Sequence, residues 1–185
     1  MNKVEKARHR ASELLSTYNL ASVPVDVDYL IIQSGVQLRY EDLDQDTSGL
    51  LVKNENESVI VGNAHHPLER RRFAVAHVFA HYLLHASAPT VYIDDATKPG
   101  SDDSQPDSSQ EAEANAFAGE LLMPSAMLIH DVDNSQLDYF RDHAAIDDIA
   151  AKYLVTAQVA TVRLSQLGLL AGVPAITADI TKKKP

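Results

Sequence analysis

Two histidines four residues apart, His77 and His81, have the spacing in this chain that best suits a metal ion. On an α-helix such a pair lies on one face, about 6 Å of rise apart, so both imidazoles can reach a single ion. In the zinc-protease motif H-E-x-x-H, a glutamate follows the first histidine and acts as the general base for the attacking water. Val78 stands at that position and has no lone pair to accept a proton. The spacing therefore predicts a helix that binds a metal ion but lacks the residue that activates water.

A second helical segment, residues 111–124, offers a carboxylate to the same ion. The motif S-x-x-E at Ser108–Glu111 predicts a capping box at its start, and Pro124 prevents the helix from continuing. Three apolar side chains at helical spacing predict a face buried in a core: Phe117, Leu121 and Leu122. Glu113 lies in the first turns, where its carboxylate can complete a site of two histidines and one carboxylate, with a fourth position left for water or substrate.

Two further residues near these motifs are not expected to bind the ion. His85 continues the four-residue spacing, but about 12 Å of helical rise separates it from His77, so it favours a structural role or one that supports a ligand. Glu120 lies two helical turns beyond Glu113, too far to serve readily as a substitute base. We expect Glu120 to pack or to hydrogen-bond a histidine.

The two motifs together resemble the ImmA/IrrE metallopeptidases. The first is R-F-x-x-A-H-x-x-x-H-x-L-L-H, and the second, which is the more specific, is E-A-N-x-F-A-x-E-L-L-M-P. Shorter segments before them share the resemblance, so that it covers nearly the whole chain: Val25–Val27, Tyr40–Asp44, Ser48–Val52 and Ile60–Asn63. The family consists of zincin-like proteins that relieve repression by cleaving or antagonising a helix-turn-helix repressor, in mobile elements and DNA-damage responses.

Carried over by position, the resemblance makes His77, His81 and Glu113 the ligands of a zinc ion. It also makes position 78 the catalytic glutamate, and there this chain departs from the family because it has valine. Phe79–Ala80 is a second, milder departure, since family members often have a Leu-Gly pair there. The resemblance thus implies a zinc-binding protein with no catalytic residue at the general-base position.

The resemblance, with the departure at position 78, leaves three functions open. The first is a regulatory, anti-repressor-like protein that engages a helix-turn-helix repressor or a similar partner, such as a toxin–antitoxin component, while its peptidase activity is absent or severely weakened. The second is an active zinc endopeptidase that cleaves a repressor with a non-standard general base. The third is a metal-free interaction module that keeps only the fold. Bound metal separates the third function from the others, and cleavage of the repressor separates the second from the first.

Composition restricts the kind of site and partner. The chain of 185 residues has no cysteine, so a metal site must use histidine and carboxylate, which is compatible with a reducing cytoplasm. No apolar stretch has membrane-spanning length, and the charged N-terminus predicts no signal peptide. We therefore expect a cytoplasmic location without membrane attachment. A formal net charge of −10 at pH 7 disfavours direct DNA binding and favours a basic protein partner.

The elements that must position these motifs predict an α+β, zincin-like fold. Its parts are a small three- to four-stranded sheet, two metal-bearing helices and a helical C-terminal subdomain. Helices are predicted over 3–19, 26–34, 67–85, 111–124, 125–131, 135–142, 147–153 and 157–167. Strands are predicted over 36–40, 49–53, 58–61 and 90–93, with a hairpin turn at 54–57 and an edge strand at 90–93.

Two domains are expected, a zincin domain over 1–140 and a small helix-turn-helix-like subdomain with a tail over 141–185. Thr156 is expected to cap the second helix of that subdomain, which carries little positive charge for DNA. Residues 94–110 have almost no apolar side chains and predict a mobile loop between the metal-bearing helices. Arg70–Arg72 is expected on the solvated face of the first metal-bearing helix.

Overall fold

The computed structural model describes residues 1–86, 90–95, 108–132 and 136–172, with the side chain of Asp95 left out. Its helices are α1 Lys3–Thr17, α2 Val27–Gln33, α3 Leu68–Leu84, α4 Ser108–Leu122, α5 Ser125–Asp131, α6 His143–Tyr153 and α7 Ala157–Gln166. Its strands are β1 Gln37–Glu41, β2 Thr47–Lys53, β3 Ser58–Asn63, β4 Thr90–Asp95, β5 Leu137–Asp138 and β6 Leu170–Ala171. The predicted α+β architecture is confirmed, and the sheet predicted to have three to four strands has four.

The sheet has the order β1-β3-β2-β4. β2 and β3 form the predicted antiparallel hairpin, in which the Asn54 side chain accepts hydrogen bonds from the amides of Asn56 and Glu57. β1 pairs with β3 in parallel, and β4 pairs with β2 in antiparallel as the predicted edge strand. In β4 the side chains alternate, so that Tyr92 is buried while Val91 and Ile93 are exposed. Tyr92 therefore points to the core side of the sheet.

Helix α3 lies close against this sheet, and two glycines permit the approach. A Cβ atom at Gly62 would lie 2.9 Å from Val75 Cγ1 and 2.8 Å from the Tyr40 ring, which is too close for any other residue. A Cβ atom at Gly49 would lie 3.2 Å from Val78 Cγ2. The small residues of β2 and β3 thus bring the metal-bearing helix down onto the strands.

Helix α4 covers the other side of α3, as its apolar spacing predicts. The rings of Phe79 and Phe117 meet edge to face with centroids 6.0 Å apart, and both are fully buried. Leu121 and Leu122 are also fully buried, and the helix ends before Pro124. This packing sets α3 and α4 side by side, so residues on their facing sides can share one site.

Side-chain caps begin two of the predicted helices, and the cap expected at Thr156 is confirmed. Asp26 accepts a hydrogen bond from the Tyr29 amide at the start of α2, and Gly35 follows this helix with a positive φ of 81°. Thr156 accepts one from the Val159 amide at the start of α7, after Leu154 closes α6 in the left-handed conformation. The two consecutive helices α6 and α7, joined by a short turn, agree with the predicted helix pair.

The helix predicted over 135–142 is wrong in the described residues 136–142. Leu137–Asp138 is a short strand that pairs in parallel with Leu170–Ala171. The Asp138 carboxylate accepts a hydrogen bond from the Phe140 amide, and Asp142 accepts one from the Asp138 amide. Such local aspartate bonds compete with the helical backbone ladder and favour a turn.

The expectation that Arg70–Arg72 is solvated fails at Arg72. Its guanidinium is buried and donates to the carbonyls of Val25 and Leu154, at 2.8 and 3.1 Å. Arg72 therefore ties α3 to the segment before α2 and to the end of α6. The division at residue 140 into two domains stays a prediction. No helix in the described ranges is long and apolar enough to cross a membrane, and the loop predicted over 94–110 lies mostly outside them.

Candidate metal centre

The two predicted histidines lie together on α3, on the side that faces α4. Each is only 3% exposed, and the His77 and His81 Nε2 atoms are 3.1 Å apart. One helical turn separates the residues, as the H-x-x-x-H spacing predicts. Two buried imidazole nitrogens therefore point at a common place.

Glu111, in the first turn of α4, supplies a carboxylate at that place. Its Oε2 atom lies 3.3 Å from His77 Nε2 and its Oε1 atom lies 3.2 Å from His81 Nε2. These three residues form a group whose donor atoms could hold a metal ion. Zinc–ligand bonds of about 2.0–2.1 Å require donors about 3.3–3.4 Å apart at the corners of a tetrahedron. The two histidine nitrogens, 3.1 Å apart, are close to that spacing, and each lies 3.2–3.3 Å from one oxygen of the Glu111 carboxylate.

Glu113, the carboxylate predicted from the sequence, is not in this group. Its Oε2 atom lies 3.6 Å from His85 Nε2, and its Oε1 atom lies 3.6 Å from Lys3 Nζ and 3.2 Å from Ser109 Oγ. A step of two residues turns a helix by about 200°, so the two carboxylates of α4 leave on opposite sides. The geometry therefore makes Glu111 the candidate ligand and gives Glu113 contacts around His85.

Asn115 is the signal that could have identified Glu111 from the sequence. It lies four residues after Glu111, on the same face of α4, and its Oδ1 accepts a hydrogen bond from His77 Nδ1 at 3.0 Å. That bond leaves His77 Nε2 unprotonated and aimed at the site in the neutral tautomer, as metal ligands require. The spacing E-x-x-x-N therefore combines a ligand with the residue that orients another ligand.

His85 supports the site from behind, in agreement with its predicted role. Its Nδ1 atom lies 3.0 Å from His81 Nδ1, on the side of the ring away from His77. This contact fixes the orientation of His81 and keeps its Nε2 atom toward Glu111. Glu120, by contrast, contacts no histidine in the described hydrogen bonds and instead forms a buried ion pair with Arg163.

The two histidines of the cluster differ in the direction in which their pKa values are shifted. Burial strongly opposes the charged form of His77, but its hydrogen bond with Glu111 and the charges of Asp94 and Glu111 raise its pKa above 6.5. Burial lowers the pKa of His81 to about 4. Burial opposes ionisation of Glu111, but hydrogen bonds with both histidines outweigh it and lower the pKa of the carboxyl well below its usual range. Without metal, the group therefore favours an ionised Glu111 beside a protonated His77.

Val78 leaves the centre without a base at the position where the zinc-protease motif has glutamate. Its side chain is fully buried and packs against Gly49 of β2. An isopropyl group can neither accept a proton from water nor pass one to a leaving amine. The chemistry of this donor set is therefore metal binding, without the proton relay of H-E-x-x-H.

Tyr92 adds a fourth polar atom that sequence reasoning missed. Its hydroxyl oxygen lies 3.2 Å from His77 Nε2 and donates a hydrogen bond to Glu111 Oε1 at 3.4 Å. The Tyr92 ring stacks on His81 with centroids 4.2 Å apart. Burial raises the pKa of the Tyr92 phenol well above its usual value. No local motif marks this residue, because pairing of β4 with β2 brings it to α3.

Comparison with known proteins shows what this chain is similar to. The model of the family described as the IrrE N-terminal-like domain matches residues 32–165. Metallopeptidase ImmA of Bacillus subtilis (strain 168) is 27% identical over 161 residues, which cover 87% of this chain and 85% of ImmA. A solved structure described as a Mycobacterium tuberculosis transcriptional regulator matches 88% of this chain with a TM-score of 0.56 and 17% identity. The chain spans 46% of that structure's length, and the likeness shows the fold alone.

Proposed function

The chain belongs to the family of IrrE N-terminal-like domains, and from this premise we propose that it is a zinc-binding regulatory protein that engages a transcriptional repressor without cleaving it. The observation that carries this proposal is the cluster of His77, His81 and Glu111 with Val78 in place of the general base. The family supplies the metallopeptidase-like scaffold. Val78 leaves the three proposed ligands in place but removes the base that would use the bound ion in hydrolysis.

Zinc is the ion that suits these donors best. Two imidazoles and one carboxylate, with no thiolate, form a common zinc set, and their donor atoms lie within 4.8 Å of one another. When bound, the ion would supply Lewis acidity. His77, His81 and Glu111 would hold it between α3 and α4, and Asn115 would keep the His77 ring oriented. Such a link between two helices also stabilises the fold.

Loss of the base removes most of the expected peptidase activity. A positioned general base typically contributes about 10²–10⁴-fold to a rate. Two carboxylates of α4 are engaged elsewhere, since Glu111 is in the ligand cluster and Glu120 is paired with Arg163. A protein with this site would act on its partner by binding, as an anti-repressor does.

The charge of the chain favours a protein partner that is itself basic. Its formal net charge of −10 at pH 7 repels nucleic acid and attracts cationic surfaces. A helix-turn-helix repressor carries such a surface where it contacts DNA phosphates. Binding there would compete with the operator, which relieves repression without proteolysis.

The test is a cleavage assay on a complete extract of the source cells. The zinc-loaded chain is added with or without a chelator, new protein N-termini are quantified by mass spectrometry, and cross-linked partners are identified in parallel. We expect no chelator-sensitive N-termini and cross-links to a helix-turn-helix protein. His77→Ala is the matched control, since it removes a proposed ligand. Chelator-sensitive cleavage by the unchanged chain would establish the active peptidase instead, and a chain that binds no zinc would favour the metal-free module.

A further inference from the structure

The hydroxyl group of Tyr92 lies beside the candidate metal ligands. The Nε2 atoms of His77 and His81 are 3.1 Å apart, and each lies 3.2–3.3 Å from one oxygen of the Glu111 carboxylate. The Tyr92 oxygen is 3.2 Å from His77 Nε2 and 3.4 Å from Glu111 Oε1. A tetrahedron around zinc has edges of about 3.3–3.4 Å. The Tyr92 oxygen therefore keeps the same spacing to two of the three ligands as those ligands keep to one another.

From this geometry we propose that Tyr92 is the fourth ligand of the metal ion, as a phenolate whose proton is released to solvent when the ion binds, so that four protein donors close the centre. Catalytic zinc sites retain a position for water, whereas structural zinc sites are closed by protein ligands. In this chain the Tyr92 oxygen takes the position that water would need. The proposal rests on the metal centre proposed above and specifies that its role is structural.

The surroundings of Tyr92 hold its hydroxyl in place. The residue is 4% exposed, and its ring stacks on His81 at 4.2 Å between centroids. Its backbone pairs with Leu51 in the register of β4 and β2, so the strand fixes which side chain points inward. A buried aromatic ring between a strand and a helix has few alternative rotamers. Closure by Tyr92 therefore requires no movement of a loop.

The same residue explains how the site tolerates Val78. An open metal-bound water would need a base to do chemistry, and the valine offers none. A centre closed by Tyr92 has no such water and makes no demand on position 78. Val78 in place of the base and Tyr92 in place of the water both remove hydrolytic function. The metal ion then only links β4 and α4 to α3.

Copper(II) is a suitable probe, because a phenolate bound to this ion gives an intense charge-transfer absorption in the visible range. The chain is freed of metal and loaded with one equivalent of Cu²⁺. We expect the band in the unchanged chain and in Tyr82→Phe, and its loss in Tyr92→Phe while one copper ion stays bound. Tyr82 is the matched control, since it lies on α3 itself but stacks on Phe79 outside the cluster.

Azide supplies a second readout that does not depend on folding of a variant. A small anion replaces water at an open metal position, so a closed centre should give no spectral change on addition of azide, whereas Tyr92→Phe should respond. One bound copper ion without the phenolate band, or with an azide response, in the unchanged chain would overturn the role of Tyr92 and leave the three-ligand centre standing. A chain that binds neither copper nor zinc would overturn both proposals.

Discussion

The unequal pKa values of the two histidines predict how metal affinity depends on pH. A histidine must be neutral to bind the ion, and the pKa of His77 is raised above 6.5 while that of His81 is lowered to about 4. As pH falls, protons therefore compete first at His77, beginning above pH 6.5, and His81 adds little until about pH 4. Below the His77 pKa, affinity should fall about tenfold per pH unit.

The measurement is zinc affinity from competition with a chelator of known pH dependence, between about pH 5 and pH 8. Asn115→Ala is an informative control, because the Asn115 hydrogen bond contributes to the raised pKa of His77. That variant should shift the onset of the decline to lower pH. An affinity that stays constant over this range would show that His77 is not a ligand.

At the residue scale, the sequence predicts the histidine pair but not the carboxylate. The H-x-x-x-H spacing is local, so helical geometry alone brings His77 and His81 together. Glu111 and Glu113 are two residues apart, and the choice between them depends on how α4 is rotated about its axis. That rotation is set by burial of Phe117 and by the Asn115 bond to His77, which are tertiary contacts.

At the element scale, the buried pair of Glu120 and Arg163 links α4 to α7. Both side chains are almost fully buried, and Arg163 also donates to the Met123 carbonyl at 3.1 Å. Loss of one partner leaves an uncompensated buried charge, so we expect Arg163→Met to lower the free energy of unfolding by about 3–5 kcal/mol. Urea unfolding followed by circular dichroism measures this change.

The double variant of Arg163→Met with Glu120→Leu serves as the control for that pair. It removes both charges together and should recover part of the lost stability, because buried ion pairs are often replaceable by apolar residues. A single variant as stable as the unchanged chain would contradict a structural role for the pair. The burial of Arg163 depends on its contacts with Glu120 and Met123, which helical periodicity alone does not reveal.

At the scale of the whole molecule, net charge predicts that the chain does not bind DNA directly. The charge of −10 opposes the phosphate contacts that dominate affinity for nucleic acid, and the one arginine of α7 is buried against Glu120. A gel shift at low salt with mixed duplexes should therefore show no retardation below micromolar concentrations. Tight, sequence-dependent retardation by the isolated chain would contradict this expectation.

More of the fold than of the candidate site could be predicted from the sequence. Alternating strands, the hairpin composition and capped helices are local signals, and the four-stranded sheet with its covering helices follows from them. Contacts between distant segments could not be predicted in the same way. Arg72 reaches Val25 and Leu154, and Tyr92 reaches His77, only because the tertiary fold brings their elements together.

Zinc content of the purified chain and two single variants tests the central claim, that His77, His81 and Glu111 bind one metal ion. Glu111→Ala and Glu113→Ala each remove one glutamate carboxylate from the first turns of α4. Only the carboxylate of Glu111 lies 3.2–3.3 Å from both histidine Nε2 atoms. After zinc reconstitution and removal of free ion, elemental analysis should give about one zinc per chain for the unchanged protein and Glu113→Ala, and nearly none for Glu111→Ala. Equal zinc content in the two variants, or loss of zinc in Glu113→Ala alone, would contradict this assignment.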